Sequence, residues 1–288
     1  MWRGVVATTG APGLHEVVAG VHVVDVTRPG SLSAVLDADD DSPVLVSSHP
    51  AHAHASRVAC TVLDADRPDV PVAHVAFSQA PLAGLLAMAI ARDIARDAGH
   101  GAAVWRDLSD AIWSAAIVPG VAKLPDPNPS LKQHARSMFP GSRYLVRLHP
   151  EPEAIGAKDV AAALAPVGRG LVHVYSTRLE RSDQMLEGIL TQVAPRGVDL
   201  REVPGSWESL FGRREDLQLA MIPTDFQQML RPRGVTCRSC GLSTIDPVCV
   251  FCRLRVRDRE DELRALDVRK PRPADAPEQA LAASGRTP

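Results

Sequence analysis

The chain has 288 residues, with 32 Lys and Arg against 34 Asp and Glu, for a formal charge of -2 at pH 7. That balance creates no overall field toward nucleic acid or membrane, so any such partner must be recruited by a local patch. A hydrophobic share of 45% with 23% charged residues is that of a soluble globular protein, long enough for one large domain or two modest ones.

The first residues, MWRGVVATTGAPG, lack the apolar core of a signal peptide. The longest apolar run, Leu82 to Ile90, ends at Arg92 and Asp93, too short to cross a bilayer. A cytoplasmic protein with no membrane partner is expected, and four of its five cysteines gathered in one segment suit a reducing compartment. Residues 1 to about 230 alternate β-rich runs (5–8, 21–26, 44–47, 72–77, 144–148, 171–175) with helical patterns (82–98, 103–117, 157–165, 182–193). Several strands are continuous Val-rich runs, which favours a sheet covered on both faces. The expected fold is α/β, a doubly wound and mostly parallel sheet of Rossmann-like type.

Within that body, Asp37, Asp39, Asp40 and Asp41 read as a charged turn, since the spacing lacks the Gly and distal Glu of an EF-hand. His49, His52 and His54 follow a β-like run and read as exposed loop histidines, with a transition-metal site as the alternative. His74, inside a strand, and Cys60, the one cysteine of the body, read as packed residues. The run 119–129, PGVAKLPDPNP, is expected to be a long exposed loop. No G-x-S-x-G, H-E-x-x-H or Walker A pattern is present, so the common hydrolase and P-loop mechanisms have no support.

Residues 70–97 read as strand, short loop and long apolar helix, the setting in which backbone N–H groups cradle phosphate. Ser78 stands at the start of the loop as a nucleotide-binding candidate. The plain alternative is a β-α unit in which Ser78 caps the helix and Pro81 opens its first turn.

The C-terminal part carries Cys237, Cys240, Cys249 and Cys252 as C-x2-C-x8-C-x2-C. Each pair aims two thiolates at one point, and two pairs complete an S4 shell suited to structural Zn²⁺. A closed shell builds structure rather than chemistry. Arg253, Arg255, Arg257 and Arg259 follow the last ligand; on a strand they share one face and suit RNA phosphates, whereas on a helix they pair along the surface. The expected division is an α/β domain over 1–230, a zinc ribbon over 231–256, a charged helix over 257–270 and a disordered tail over 271–288.

Two stretches carry a family resemblance. The order VAFS, QAP, LAGLLAMAIA resembles the PP-loop of the adenine-nucleotide α-hydrolase-like superfamily, strand then S-G-G-x-D-S then apolar helix. Ser78 matches the first Ser; Gln79 and Ala80 replace the glycines, Leu82 the Asp and Ala83 the last Ser. The ribbon, with Gly241, Ser243 and Leu254, resembles that of the tRNA 2-thiolation enzymes, whose PP-loop domain precedes it. Its D-P at Asp246 and Pro247 also resembles the finger of recombination mediators. The first resemblance implies a degenerate partner subunit of the cytosolic thiouridylases: an accessory protein, not catalytically competent alone, that binds tRNA or an active PP-loop paralogue. ATP is left as an open cofactor, set against the missing glycines and Asp. The alternatives are a zinc-ribbon protein-interaction module and an active nucleotide-dependent enzyme with a divergent site.

Overall fold

The Val-rich runs of the N-terminal third pair with one another as a parallel sheet. The computed structural model describes residues 1–8, 15–18, 20–36, 40–77, 81–122, 124, 129–139, 141–156, 159–160, 164, 172–176, 187–189, 191, 198–202, 217–223, 225–230 and 234–256. Strands β1 (Arg3–Thr8), β2 (His15–Val18), β3 (Val21–Asp25), β4 (Val44–Ser48) and β5 (Val72–Ala76) lie in the order β2-β3-β1-β4-β5. All neighbours are parallel except the edge strand β2. Along these strands Val5, Ala7, Val24, Val44 and Val46 join Cys60 and Leu63 of helix α1 (Ala53–Asp66) in one cluster. Val6, Val21, Val23, Leu45 and Ala73 join helices α2 (Pro81–Ile94) and α3 (Ala98–Ala111) in another. Both faces are therefore dry, which is why the strands read as unbroken apolar runs.

Helix α1 was not expected. The histidine stretch forms a single 3-10 turn over Pro50–His52, and α1 starts at Ala53. Its buried face consists of Ser56, Cys60 and Leu63, spaced as a helix requires but mostly small and weakly hydrophobic. The expected helix over 82–98 ends at Ile94, and Asp97 caps the next helix, α3, by accepting from the His100 N–H at 2.9 Å. The expected helix over 103–117 stops at Ala111, and Trp113–Val118 is instead strand β6, buried along its whole length.

Strand β6 belongs to a second sheet with β7 (Tyr144–His149), β8 (Glu153–Gly156), β9 (Val172–Ser176), β10 (Val198–Glu202) and β11 (Leu217–Pro223). Its order is β10-β9-β11-β6-β7-β8, and β9 with β10 is its one parallel pair. The single mostly parallel sheet is thus corrected to a mixed α/β arrangement: one mostly parallel sheet and one mostly antiparallel. The short connection from β7 to β8 accounts for part of this, since a parallel crossover needs a dozen residues or more. Val121, within the stretch read as an exposed loop, is buried against the β6–β7 face. The expected helices over 157–165 and 182–193 lie largely outside the described residues, as do all of 257–288.

Helix α2 ties the two sheets together. It packs on β1, β3 and β4 on one side and on β11 on the other. Leu82, Ala83, Leu85, Leu86, Ala87, Met88 and Ala91 are all buried, so the helix is apolar around most of its girth, as a helix enclosed by protein must be. Each fully buried Leu there contributes about 1.5–3 kcal/mol. On β11, Ala220 and Ile222 face the α2 cluster while Leu217, Leu219 and Met221 face a separate core with Trp113, Ile117 and Leu145. Among the described residues no helix is long and apolar enough to cross a membrane.

Of the four clustered aspartates, Asp37 and Asp39 lie outside the described residues, and Asp40 is paired with Arg3. Arg3 donates to its Oδ2 from Nε at 3.0 Å and Nη2 at 2.9 Å, and the Ser42 N–H donates to Oδ1 at 2.9 Å. The Ser42 hydroxyl and N–H, with Arg3, overcome desolvation and hold the Asp40 carboxyl at about 2. Because this value lies below the 3.8 of a free carboxyl, the stabilisation is complete above 3.8 and is lost as pH falls toward 2. Asp40→Asn is therefore expected to be less stable than the parent at pH 5 and to approach it at pH 2, as read by urea midpoints. A gap that stays constant over that window would contradict the assignment.

Candidate functional site

The four clustered cysteines build two near-identical turns. Cys237 N–H donates to Leu242 O at 2.8 Å and Gly241 N–H to Cys237 O at 2.9 Å. In the second pair, Cys249 N–H donates to Leu254 O at 3.0 Å and Arg253 N–H to Cys249 O at 2.9 Å. The residue closing each turn is left-handed: Gly241 at φ 74° and Arg253 at φ 58°. All four Sγ atoms lie within 4.8 Å of one another, and none is disulfide-bonded. This is the one such grouping of potential metal ligands among the described residues.

Among the described residues the expected arginine alternation is interrupted. Arg253 is the tight-turn residue just described, and Arg255 sits in an isolated bridge with Val248. Arg257 and Arg259 lie outside the described residues. The R-L-R-V-R alternation needed a continuous strand to align its guanidinium groups, and the turn at Arg253 breaks it.

The ribbon, with strands β12 (Val235–Thr236) and β13 (Ser243–Thr244), docks on α3. Asp97 accepts from the Ser243 N–H on Oδ1 at 3.1 Å and from the Ser243 hydroxyl on Oδ2 at 2.6 Å, while still capping α3. Burial works to raise the Asp97 carboxyl. The Ser243 hydroxyl and the N–H groups of His100, Ser243 and Gly99 outweigh it and hold the carboxyl below its ordinary value. Arg106 Nη1 meets Asp246 Oδ2 at 2.6 Å. Cys237, Cys249 and Phe251 are buried in the same cluster as Trp105 and Leu108 of α3. Gly99 lies against the Ser243 carbonyl and Gly234 against the Thr244 carbonyl, so Gly234 is a close-packing position.

At the start of α2 one backbone donor is already taken. The Leu82 N–H donates to Gln218 Oε1 at 3.1 Å, and Gln218 of β11 is 1% exposed. A neutral side-chain amide thus occupies one of the orphan donors that a nucleotide would need. Leu82, aligned with the PP-loop Asp, is fully buried. Ser78 itself lies outside the described residues.

Beside that contact the inner face of the second sheet is lined by small residues. Ser114 and Ala116 of β6 stand in register with Ala220 and Gln218 of β11. Ser114 is completely buried, and its hydroxyl has no hydrogen-bond partner among the described residues. Nothing in the sequence marked Ser114, because it falls in an Ala-rich run that reads as helix.

The histidines do not assemble. His49 and His52 have ring centroids 6.2 Å apart. His54 lines a groove of about 460 Å³ beside α1 with Val26, Leu32, Val58 and Val62. His74 Nε2 meets Ser48 Oγ at 2.7 Å; burial first, and then the charge of Arg57, lowers its pKa and favours the neutral ring. Cys60 is buried, which pushes its thiol up to about 12.

No family model matches the chain, and no curated protein does. Solved structures do. A DegV family protein, Cg2579 of Corynebacterium glutamicum, superposes with a TM-score of 0.53 at 14% identity, covering 77% of this chain and 96% of that one. A DegV family protein from Eubacterium eligens, loaded with heptadecanoic acid, gives 0.54 at 12% identity, covering 78% and 100%. The Streptococcus pneumoniae fatty acid kinase (Fak) B3 protein, loaded with linoleic acid, gives 0.52 at 10%, covering 77% and 99%.

At these identities the likeness is one of fold, and it overturns the thiouridylase resemblance. The body is not a PP-loop domain. The expected tRNA-thiolation role, with RNA and an active PP-loop paralogue as partners, falls with it, as do the interaction-module and nucleotide-enzyme alternatives. The strand–Ser–helix order belongs to many α/β units, so it could not discriminate once its glycines were missing.

Proposed function

We propose that this protein binds a long-chain fatty acid in the seam between its two sheets. The observation that carries this reading is that two solved structures of the same fold, matched over 99% and 100% of their length, hold linoleic and heptadecanoic acid. Features of this chain support it. An apolar α2 is enclosed between the sheets. Ala220 stands opposite Ser114 and Ala116 opposite Gln218, and the Ser114 hydroxyl lacks a partner among the described residues. A dry apolar slot with one or two placed polar groups is the usual form of a small-molecule site. In such a slot the tail gains roughly 0.8 kcal/mol per buried methylene, and a hydroxyl orients the carboxylate.

The test is direct. Lipid extracted from the purified protein is expected to contain fatty acid by mass spectrometry, and stripped protein is expected to bind a fluorescent fatty acid saturably at one per chain. Ser114→Ala should weaken binding by roughly tenfold or more, because a hydrogen bond to a charged group is worth about 1.5–3 kcal/mol. Ala220→Leu, which fills the seam, should weaken it further at unchanged secondary structure. The absence of both co-purified lipid and saturable binding would sink the proposal.

A further inference from the structure

We propose that Cys237, Cys240, Cys249 and Cys252 hold one zinc ion as a closed tetrathiolate, and that this ion clamps the ribbon onto α3 so that the α2–α3 core depends on it. The proposal is independent of which ligand the sheets bind.

The sulfur geometry fits the ion. A regular tetrahedron with Zn–S bonds of about 2.3 Å has sulfur–sulfur edges of about 3.8 Å. Here Cys237 to Cys252 and Cys240 to Cys249 are each 3.5 Å apart, and no pair exceeds 4.8 Å. These separations are far beyond the 2.05 Å or so of a disulfide. Four borderline-soft thiolates converging from two equivalent turns suit Zn²⁺ and fill its shell, so no position is left for water or substrate.

The clamp follows from what the ribbon lacks. Over residues 234–256 it has two strands of two residues each and one isolated bridge. Its buried side chains Cys237, Cys249 and Phe251 have no core of their own and pack into the cluster of Trp105 and Leu108. A segment this small is held in shape by the metal, and metal-binding energy becomes folding energy. Its inner surface is then fixed on α3 by Asp97 to Ser243, by Arg106 to Asp246, and by the backbone contact at Gly99. Without the ion the two cysteine turns lose their common centre, and Ser243 loses the frame that holds it over Asp97. The result is an exposed flank on α3, where Trp105 packs edge-on to Phe77 at 5.7 Å.

The experiment uses the full chain. Native mass spectrometry should find one zinc per chain, and cobalt exchanged into the site should show the visible bands of a tetrahedral thiolate. Hydrogen exchange is then followed with the metal, after chelation, and after zinc is restored. Amides of 234–256 should exchange at least 100-fold faster on chelation, amides of 98–111 should follow, and zinc should reverse both. Strand β4 should change least.

The double variant Ser243→Ala, Asp246→Asn separates clamp from metal: it should keep one zinc while α3 loses protection. A chain without bound metal, a disulfide-linked ribbon, or chelation that leaves α3 unchanged would each overturn the proposal. So would a double variant that keeps both its zinc and full α3 protection. Chelation of the unaltered protein keeps the test decisive even where a cysteine variant fails to fold.

Discussion

Gly99→Ala is expected to lower folding stability by about 3 kcal/mol, the opposite of its usual effect inside a helix. In an exposed helix interior the same change gains up to about 1 kcal/mol, because Gly loses more backbone entropy on folding. Gly99 lies in the first turn of α3, and a methyl added there would overlap the carbonyl oxygen, carbon and nitrogen of Ser243. Those are backbone atoms and cannot rotate aside. Either β13 lifts, giving up the Ser243–Asp97 bonds and straining the Arg106–Asp246 pair, or α3 is driven toward Trp2, which packs against Gly101 on its other side. For a protein of this size the loss corresponds to a melting shift of about 5 °C. Thermal unfolding measures it, and a variant as stable as the parent would mean that the ribbon does not approach α3 so closely.

Gln218→Leu should cost about 2–3 kcal/mol even though leucine has nearly the same size and suits the surroundings. Gln218 supplies the acceptor for the Leu82 N–H at the buried start of α2. Removing the acceptor leaves a desolvated donor, and an unmade buried hydrogen bond is dearer than the net gain from a made one. The effect should appear as a lower urea midpoint at unchanged slope. A neutral Gln218→Leu would show that another acceptor reaches that N–H. The contact also ties α2 to the second sheet beside Ser114, the residue opposite Ala220.

The first sheet was legible because its strands are covered on both sides, so Val5, Val6, Val23, Val24, Leu45 and Val46 leave an unbroken apolar trace. The cysteine spacing was legible because a turn geometry demands it. Helix α1 was hidden, since Ser56 and Cys60 line its buried face and carry little hydrophobic signal. Strand β6 was misread because Ala115 and Ala116 favour helix locally, and only pairing with β11 and β7 overrides that preference. Strand β11 went unread: Gln218 breaks its apolar run, and the polar group that did so proved to be the partner of α2. The candidate seam draws on residues 82, 114 and 220, which no local pattern can bring together. The arginines after Cys252 misled for the converse reason. Their alternation was real in sequence, but Arg253 is consumed by a turn that its neighbour Cys249 dictates.

The place of β11 bears on how the chain is made. It is the last long strand among the described residues, yet in the second sheet it stands between β9 and β6 and joins the β6–β7–β8 half to β9 and β10. Until residues 217–223 leave the ribosome, both halves present a bare edge, and α2 has only one of its two walls. Synthesis therefore passes through a long interval in which strand edges and an apolar helix face are exposed together, a state prone to wrong pairing between neighbouring chains. Closure waits for residues 217–223, and the ribbon that follows β11 arrives only as that exposure ends.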